Sequence, residues 1–447
     1  MFIIDRDTEL TFEKVTEIIN KFNFSERPQL EKYHDYYLGK QNILFKQVND
    51  DTKPNNRIVT NYCYNIVQNY LGYLTGIGIT YQSDKKMNET QRILHYNDVK
   101  TTDSELLRNA LIYGTAFEIS YLDEDLEQRF KVLDSRECIP VYDNTINQEL
   151  LYVIRYYYVD NLDLTKGYYI EIYSDSDVKT YKSNEVYSSL AFVKSEPHYF
   201  KQVPICVFTL NTERDSIFKN IMSLQDAYNT LLSSEVDDFQ AFCDAYLVLT
   251  GVDATKDDVT AMKENRVIVL PPDGAKAEFL VKSISDTQIE NMLKNINDTI
   301  HKIACSPDFS QESFGVSSGI ALRFRLLGFE NTSAAIESNM RKSLLKRLEL
   351  ITTILQLRGI SDYWEDMDII FTRNIPENIS ETAQMITSLE GLVSNETLLS
   401  QLPFITDVNK EMKKVQKQKE LNASLYNFSN VSNEAEDEEN DKEEDEE

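Results

Sequence analysis

The chain has 447 residues, of which 41% are hydrophobic, and a formal net charge of −28. Its length predicts two or more subdomains, and the lack of a signal peptide or of an apolar run of about 20 residues predicts a cytoplasmic protein without membrane contact. The acidic charge excludes tight wrapping of nucleic acid, because nonspecific affinity comes from Lys and Arg, and the five scattered cysteines favour neither disulfides nor a zinc site.

The first hundred residues show the spacing of amphipathic helices. An apolar stripe over residues 15–22 predicts a first helix, and Ser25 is placed to cap a second helix over residues 28–38. Apolar positions over residues 59–74 predict a third helix, and Asp103 is expected to begin a fourth. This part of the chain is therefore predicted to be mainly helical.

The apolar period changes after Gly114, which is expected to end the preceding helix in the left-handed conformation. Alternating side chains and turn residues then predict a series of strands, the first two of which form a hairpin. Because short turns separate these strands, they predict a meandering antiparallel sheet and the α+β class. The strands are expected at residues 117–121, 129–132, 137–142, 150–159, 167–174, 178–182 and 205–210.

Two long helices with a small β insert between them are predicted in the middle of the chain. The first helix spans residues 216–242 and the second spans residues 288–304, each with an apolar stripe at helical spacing. Three short strands are expected between them, at residues 246–249, 265–270 and 277–281. The pattern predicts a two-helix stalk with a β tip.

The last third of the chain begins with a polar loop at residues 306–319, which is rich in Gly and Ser. Helical periodicity from residue 320 to about residue 358 predicts one long helix. A strand at residues 368–371 then precedes a helical region at residues 377–426. Residues 431–447 hold 11 acidic residues and one lysine, so this tail repels itself and is expected to be disordered.

Sequence motifs for catalysis are absent: there is no phosphate-binding loop, dinucleotide fingerprint, nucleophile elbow or zinc-protease motif. The chain is therefore predicted not to be an enzyme, and no catalytic, cofactor-binding or metal-binding residue is assigned. The alternative is a metal-dependent nuclease or another DNA-processing enzyme, because two Pro-Asp dipeptides end in Asp273 and Asp308. Glu278 and Lys282 do not have the spacing that such a site needs. A monomeric acidic scaffold is a third hypothesis.

Three stretches of the sequence carry a resemblance to a known family. The first is Lys-Pro-Asn-Asn-Arg-Ile-Val-Thr-Asn-Tyr at residues 53–62, followed by Gly-Tyr-Leu-Thr-Gly at residues 72–76. The others are Tyr-Gly-Thr-Ala-Phe-Glu at residues 113–118 and Ser-Ser-Gly-Ile-Ala-Leu-Arg at residues 317–323. In this order they resemble the portal proteins, or head-to-tail connector subunits, of siphovirus-type tailed bacteriophages of Gram-positive hosts. The resemblance covers roughly residues 50–420.

The resemblance implies a portal fold with five kinds of subdomain. These are a wing of helices and antiparallel sheet, a two-helix stem, a β-containing clip, a tunnel loop joined to a long helix, and a helical crown. Its implied boundaries are 1–215 (wing), 216–242 and 288–304 (stem), 243–287 (clip), 305–318 (tunnel loop), 319–375 (long wing helix and return strand), 376–430 (crown) and 431–447 (disordered acidic tail).

The resemblance also implies a function in genome packaging and ejection. About twelve subunits would form a closed homo-oligomeric ring through head-to-tail contacts at one vertex of the virion capsid, after assembly in the host cytoplasm. Double-stranded DNA would pass through the channel with weak, sequence-independent contacts, which an acidic body permits. The implied partners are the terminase large subunit, head-completion or adaptor proteins, scaffold and the major capsid protein.

Site residues are carried over from the resemblance in four sets. The tunnel loop would line the channel with Gln311, Ser313, Phe314, Val316, Ser317 and Ser318. The stem would face DNA with Lys294, Asn297, His301 and Lys302. The clip would contact terminase with Lys263, Glu264, Arg266 and Lys276. Contacts between subunits would use Arg323, Arg325, Arg341 and Arg347. The open alternative for the first three sets is ordinary solvent exposure, and for the arginines it is DNA binding.

Overall fold

A computed structural model of the protein contains two compact units, Met1–Arg373 and Asn374–Glu447. In the second unit, the short helix Asn395–Leu399 and a helix at residues 408–420 are described. Apart from a few isolated positions, the structure describes residues 2–47, 54–160, 166–183, 191–243, 247–250, 276–279, 286–309, 319–374, 386–400 and 408–420.

Five helices form most of the N-terminal part of the first unit. The predicted apolar stripe of the first helix is confirmed, because Val15, Ile18, Ile19 and Phe22 are all buried. The helices are α1 (Phe12–Ser25), α2 (Arg27–Tyr37), α3 (Tyr62–Thr75), α4 (Asn88–Tyr96) and α5 (Val99–Tyr113).

Three predicted helix starts are wrong, each for a local reason. Ser25 does not cap α2 but ends α1, where its hydroxyl donates to the carbonyl of Lys21 at 2.6 Å. Helix α3 begins three residues later than predicted because the side chain of Asn61 caps it, accepting from the backbone N–H of Tyr64 at 3.2 Å. Asp103 does not begin α5 but is buried inside it.

A six-stranded sheet packs against α1 and contains most of the predicted meander. The order of its strands is β1-β5-β6-β7-β8-β9, antiparallel except that β1 pairs with β5 in parallel. Its core includes Ile139, Ile154 and Ile170, which pack with the buried stripe of α1. The strands are β1 (Phe2–Ile4), β5 (Cys138–Asp143), β6 (Leu150–Asp160), β7 (Lys166–Tyr173), β8 (Asp177–Ser183) and β9 (Ala191–Pro197).

Two smaller sheets connect the N-terminal helices to the rest of the unit. The predicted hairpin is confirmed as β3 with β4, and β10 pairs with the other edge of β3. The predicted strand at residues 368–371 is confirmed as β13, which pairs with the unpredicted β2. The strands are β2 (Ile79–Gln82), β3 (Thr115–Leu122), β4 (Gln128–Leu133), β10 (Ile205–Thr209) and β13 (Asp368–Phe371).

The predicted helix–β insert–helix pattern is present in the described part of the chain. Helix α6 (Met222–Cys243) starts later than predicted, because a 3-10 turn at Lys219–Ile221 precedes it. It packs against α7 (Asp286–Ile303). Between them, β11 (Leu247–Thr250) and β12 (Lys276–Phe279) pair antiparallel. The predicted strand at 265–270 lies outside the described residues.

The predicted long helix is confirmed as α8 (Gly319–Leu357), which has 39 residues. At 1.5 Å per residue it is about 60 Å long, long enough to contact several other elements. Its second half has a buried face, on which Leu344, Leu348 and Ile351 are fully enclosed. Separate helical and antiparallel-sheet regions confirm the α+β class. Within the described residues, no helix combines the length and apolar character needed to cross a membrane.

Candidate functional site

A row of polar side chains on α6 holds an extended segment of the chain, residues 56–62. Its members, which we call the side-chain ladder, are four residues apart: Gln225, Asn229, Ser233 and Asp237. Each accepts a hydrogen bond from a backbone N–H of the segment: Tyr62 to Gln225 at 2.9 Å, Thr60 to Asn229 at 2.9 Å, Ile58 to Ser233 at 3.0 Å and Asn56 to Asp237 at 2.6 Å.

The spacing of the ladder follows from the geometry of the two partners. Four residues of helix rise about 6.0 Å, and two residues of extended chain rise about 6.6 Å. Side chains at every fourth helix position therefore meet every second backbone N–H of a segment that runs in the opposite direction. Because this half-buried segment pairs with no strand in the described part of the chain, the ladder supplies acceptors for backbone N–H groups that would otherwise have only water.

Asn229 makes several hydrogen bonds besides the one to the Thr60 backbone. It is fully buried, its Oδ1 also accepts from the Thr60 hydroxyl at 2.7 Å, and its amide donates to Gln41. Asn229→Ala is expected to lower the free energy of unfolding by about 2 kcal/mol, because buried donors and acceptors lose their partners. Urea unfolding at one protein concentration measures the change.

The control for this prediction is Asn295→Ala on α7, where the asparagine is exposed. We expect it to change the free energy of unfolding by no more than about 0.5 kcal/mol. Equal effects of the two substitutions would show that the ladder contributes nothing beyond an ordinary surface asparagine.

The exposed face of α7 carries charges of alternating sign. Glu290, Lys294, Asp298 and Lys302 are all exposed and follow one another at intervals of four residues. This spacing places them on one stripe of the helix, about 6 Å apart along its axis. The stripe has no net charge, although the chain as a whole is strongly acidic. Two of the predicted channel-facing residues, Lys294 and Lys302, belong to it.

The other two predicted stem residues are engaged within the chain. Asn297 is half-buried, and its amide donates to Asp308 at 3.5 Å. His301 is also half-buried, with Nδ1 2.9 Å from the carbonyl oxygen of Ser306 and its ring edge-on to Tyr62. The structure therefore brings Asn297 and His301 to the turn that follows α7 and leaves the two lysines in solvent.

The turn after α7 is fastened to α3 by two residues that the sequence did not single out. The Tyr70 hydroxyl donates to the carbonyl of Ala304 at 3.0 Å, and the Asn69 amide donates to the Ser306 hydroxyl at 3.0 Å. Tyr70, Ala304 and Ser306 are all buried. The spacing of apolar residues predicted Tyr70 as a core residue, and nothing in the local sequence distinguished its hydroxyl.

Most residues predicted for the tunnel loop and clip lie outside the described part of the chain. These are Gln311, Ser313, Phe314, Val316, Ser317 and Ser318 in the loop, and Lys263, Glu264 and Arg266 in the clip. The remaining clip residue, Lys276, is exposed at the start of β12.

The arginines predicted at subunit contacts have different environments. The side chain of Arg323 lies outside the described part of the structure, and Arg325 is exposed. Arg341 donates to the carbonyl of Ile369 at 2.5 Å and to Glu337 at 3.0 Å. A role for Arg325 and Arg341 in contacts between subunits therefore remains a prediction.

The predicted intersubunit role of Arg347 is wrong, because its side chain is 0% exposed within the chain itself. Its guanidinium donates to both carboxylate oxygens of Glu118, at 2.7 and 2.5 Å, to Asp103 at 2.5 Å and to Tyr81 at 3.0 Å. It also lies over the ring of Phe130. Burial raises the pKa of Asp103 to about 6, and the nearby charge of Glu118 adds to the increase, while Arg347 and Tyr81 oppose it.

The residues considered for a nuclease do not form a metal centre in the described structure. Asp308 is half-buried beside Asn297, while Asp273 and Lys282 lie outside the described residues. Among the described side chains, no three His, Cys, Asp or Glu residues come together to hold a metal ion.

Comparison with known proteins finds similarity to phage portal proteins over most of the chain. The family model described as "Phage portal protein, SPP1 Gp6-like" matches residues 17–424. The portal protein of Clostridium phage phiCD119 is 26% identical over 447 aligned residues, which cover 93% of this chain and 98% of that protein. The portal protein of Bacillus phage SPP1 is 27% identical over 395 residues, which cover 83% of this chain and 78% of that protein. The chain therefore belongs to the SPP1 Gp6-like family of phage portal proteins, which are structural components of the virion and not enzymes.

Proposed function

We propose that the chain forms a closed ring at one capsid vertex and conducts double-stranded DNA during packaging and ejection. The family match over residues 17–424 supports this function. On this proposal α6 and α7 are the stem, residues 243–287 the clip, residues 305–318 the tunnel loop and residues 376–430 the crown. The wing combines residues 1–215 with the long helix α8 and the strand β13.

The observation that carries the conduit function is the alternating stripe on α7. A surface with an excess of lysine would bind phosphates and release counterions, and DNA would then adhere to it. A surface with only acidic residues would repel DNA. The stripe Glu290, Lys294, Asp298 and Lys302 has equal numbers of both charges, so it suits a wall along which DNA slides.

Paired charge variants test this proposal. Glu290→Gln with Asp298→Asn gives the stripe a charge of +2, and Lys294→Gln with Lys302→Gln gives it −2. We expect the positive variant to slow DNA translocation several-fold in an in vitro packaging assay, with a stronger effect at low salt, because each unpaired lysine adds a phosphate contact. The negative variant is expected to retain a rate within about twofold of the unmodified protein, because repelled phosphates form no contact that must break and salt screens the repulsion.

Native mass spectrometry and negative-stain images of both variants provide the control, since rings must form normally for the rates to be compared. If intact rings of both variants package DNA at the same rate and with the same salt dependence, the stripe does not face DNA. A chain that forms no ring when scaffold protein is present would contradict the proposed function as a whole.

The docking partners are a further part of this proposal, and they rest on assigning the β insert to the clip. We propose that the clip, with Lys263, Glu264, Arg266 and Lys276, contacts the terminase large subunit during packaging and head-completion proteins afterwards. Scaffold and the major capsid protein would surround the wing during assembly in the host cytoplasm. Lys276 is exposed at the start of β12, and an exposed charge suits contacts that form and dissociate, because exposed ion pairs are individually weak.

A further inference from the structure

Both chain segments that flank the proposed tunnel loop contact one side chain of α3, Tyr70. Before the loop, the turn after α7 receives hydrogen bonds from Asn69 and Tyr70. After the loop, Phe329 of α8 is 1% exposed and packs on the ring of Tyr70, with ring centroids 4.6 Å apart. Tyr70 thus contacts the end of α7 through its hydroxyl and Phe329, in the first third of α8, through its ring.

The hydroxyl of Tyr70 supplies a hydrogen-bond donor to a backbone carbonyl at the end of α7. The last carbonyls of a helix have no partner within the helix and need one from elsewhere. The carbonyl of Ala304 is such a group, and because the residue is buried, water does not replace a missing donor. The next residue, Cys305, has a left-handed backbone with φ +49, which favours glycine and persists only when its surroundings fix it.

Two further contacts tie α8 to this junction. Phe329 also packs on the ring of Tyr73, at a centroid distance of 4.6 Å, and the Tyr73 hydroxyl donates to Glu330. Gly328 passes close to the turn, since a side chain placed there would contact the Cβ and Sγ of Cys305 at 4.0 Å. The end of α7 and the first buried turns of α8 therefore rest on one helix.

We propose that Tyr70, assisted by Asn69, is a positioning residue that anchors both flanks of the tunnel loop to α3. This inference rests on the proposed function, in which residues 305–318 are the tunnel loop. The anchor fixes the end of α7 relative to the first third of α8, so the helices on either side of residues 305–318 hold constant positions around the ring. Helix α3 begins at Tyr62, where Gln225 of the side-chain ladder holds it to α6. The anchor is thereby connected to both stem helices.

Tyr70→Phe tests the anchor, because it removes the hydroxyl and keeps the ring that packs on Phe329. The readout is amide hydrogen exchange by mass spectrometry on the intact ring, for peptides that cover residues 303–309. The N–H groups of Cys305 and Ser306 bond to Lys302 and His301 in this turn, so they report its opening. We expect exchange there to become about tenfold faster in Tyr70→Phe, with peptides from α1 and α2 unchanged. Asn69→Ala is expected to accelerate exchange in the same peptides by a smaller factor.

Tyr73→Phe is the matched control, since it removes a neighbouring tyrosine hydroxyl that bonds to α8 and not to the turn. It is expected to leave exchange at residues 303–309 within about twofold of the unmodified protein. Unchanged exchange in Tyr70→Phe, or an equal increase in Tyr73→Phe, would overturn the anchor.

A DNA packaging assay on the same rings tests the consequence for function. Tyr70→Phe rings are expected to translocate DNA several-fold more slowly than Tyr73→Phe rings. Faster exchange without any change in packaging would overturn the positioning role while leaving the conduit intact. If the unmodified rings pass no DNA, the proposed function fails, and the exchange result still decides whether Tyr70 holds the turn.

Discussion

Arg347→Met is expected to lower the free energy of unfolding by about 3–5 kcal/mol, the largest loss for any single substitution considered. The guanidinium is the one cation bonded to the buried carboxylates of Glu118 and Asp103 in the described structure. Methionine fills a similar volume against Phe130, so most of the loss would come from carboxylates left buried without a counter-charge. Urea unfolding of the variant and the unmodified chain at equal concentration measures it.

A triple variant separates the electrostatic loss from the packing loss. Adding Glu118→Gln and Asp103→Asn to Arg347→Met removes both charges while keeping the side-chain shapes. We expect it to recover about half of the lost stability, on the order of 2 kcal/mol, because neutral amides are less costly to bury than unpaired carboxylates. A triple variant no more stable than Arg347→Met would show that the loss came from packing.

Arg341→Met is the matched control on the same helix, since that side chain is about 40% exposed. An exposed ion pair contributes about 1 kcal/mol or less, so the effect is expected to stay within that range. The contrast between the two arginines compares a buried charge with an exposed one. The sequence assigned both to subunit contacts because it does not show which of them is buried.

The sequence predicted elements whose signal is local. The stripe of α1, the β3–β4 hairpin and the long helix α8 each follow from apolar spacing within one short window. The start of α5 was misplaced because Asp103 has the residue type of a cap, and its burial opposite Arg347 is set by a residue 244 positions away. Local patterns cannot reveal a partner at that distance.

The candidate site was predictable to a similar extent. Exposure of Lys294 and Lys302 follows from the helical period of α7, and the structure describes both as exposed. The inward contacts of Asn297 and His301 depend on a turn that folds back against α7, so the period alone gave the wrong environment. The side-chain ladder left a signal, namely polar residues at every fourth position of α6, but its partner segment lies more than 160 residues earlier.

Gly114→Ala is expected to lower the free energy of unfolding by about 2–4 kcal/mol, for two reasons that separate controls can distinguish. Gly114 ends α5 with φ +79, as the sequence predicted, and an added Cβ would lie 2.2 Å from the carbonyl oxygen of Arg214. That oxygen belongs to backbone that α5 and β3 hold in place, because Ile217 donates to Leu111 and Leu210 donates to Gly114. Residues 214 and 215 cannot move away from an added Cβ without breaking these hydrogen bonds.

Two other glycines divide the expected loss into its parts. Gly359 has φ +81 with nothing within 4 Å of an added Cβ, so Gly359→Ala measures backbone strain alone, about 1 kcal/mol. Gly72 lies inside α3 with equally open space, so Gly72→Ala is expected to stabilise the chain by about 0.5–1 kcal/mol through helix propensity. The excess of Gly114→Ala over Gly359→Ala is then the cost of displacing residues 214 and 215, the chain that leads into α6. If the two losses are equal, residues 214 and 215 move aside without cost, and this junction does not hold the chain that leads into α6 rigidly against α5.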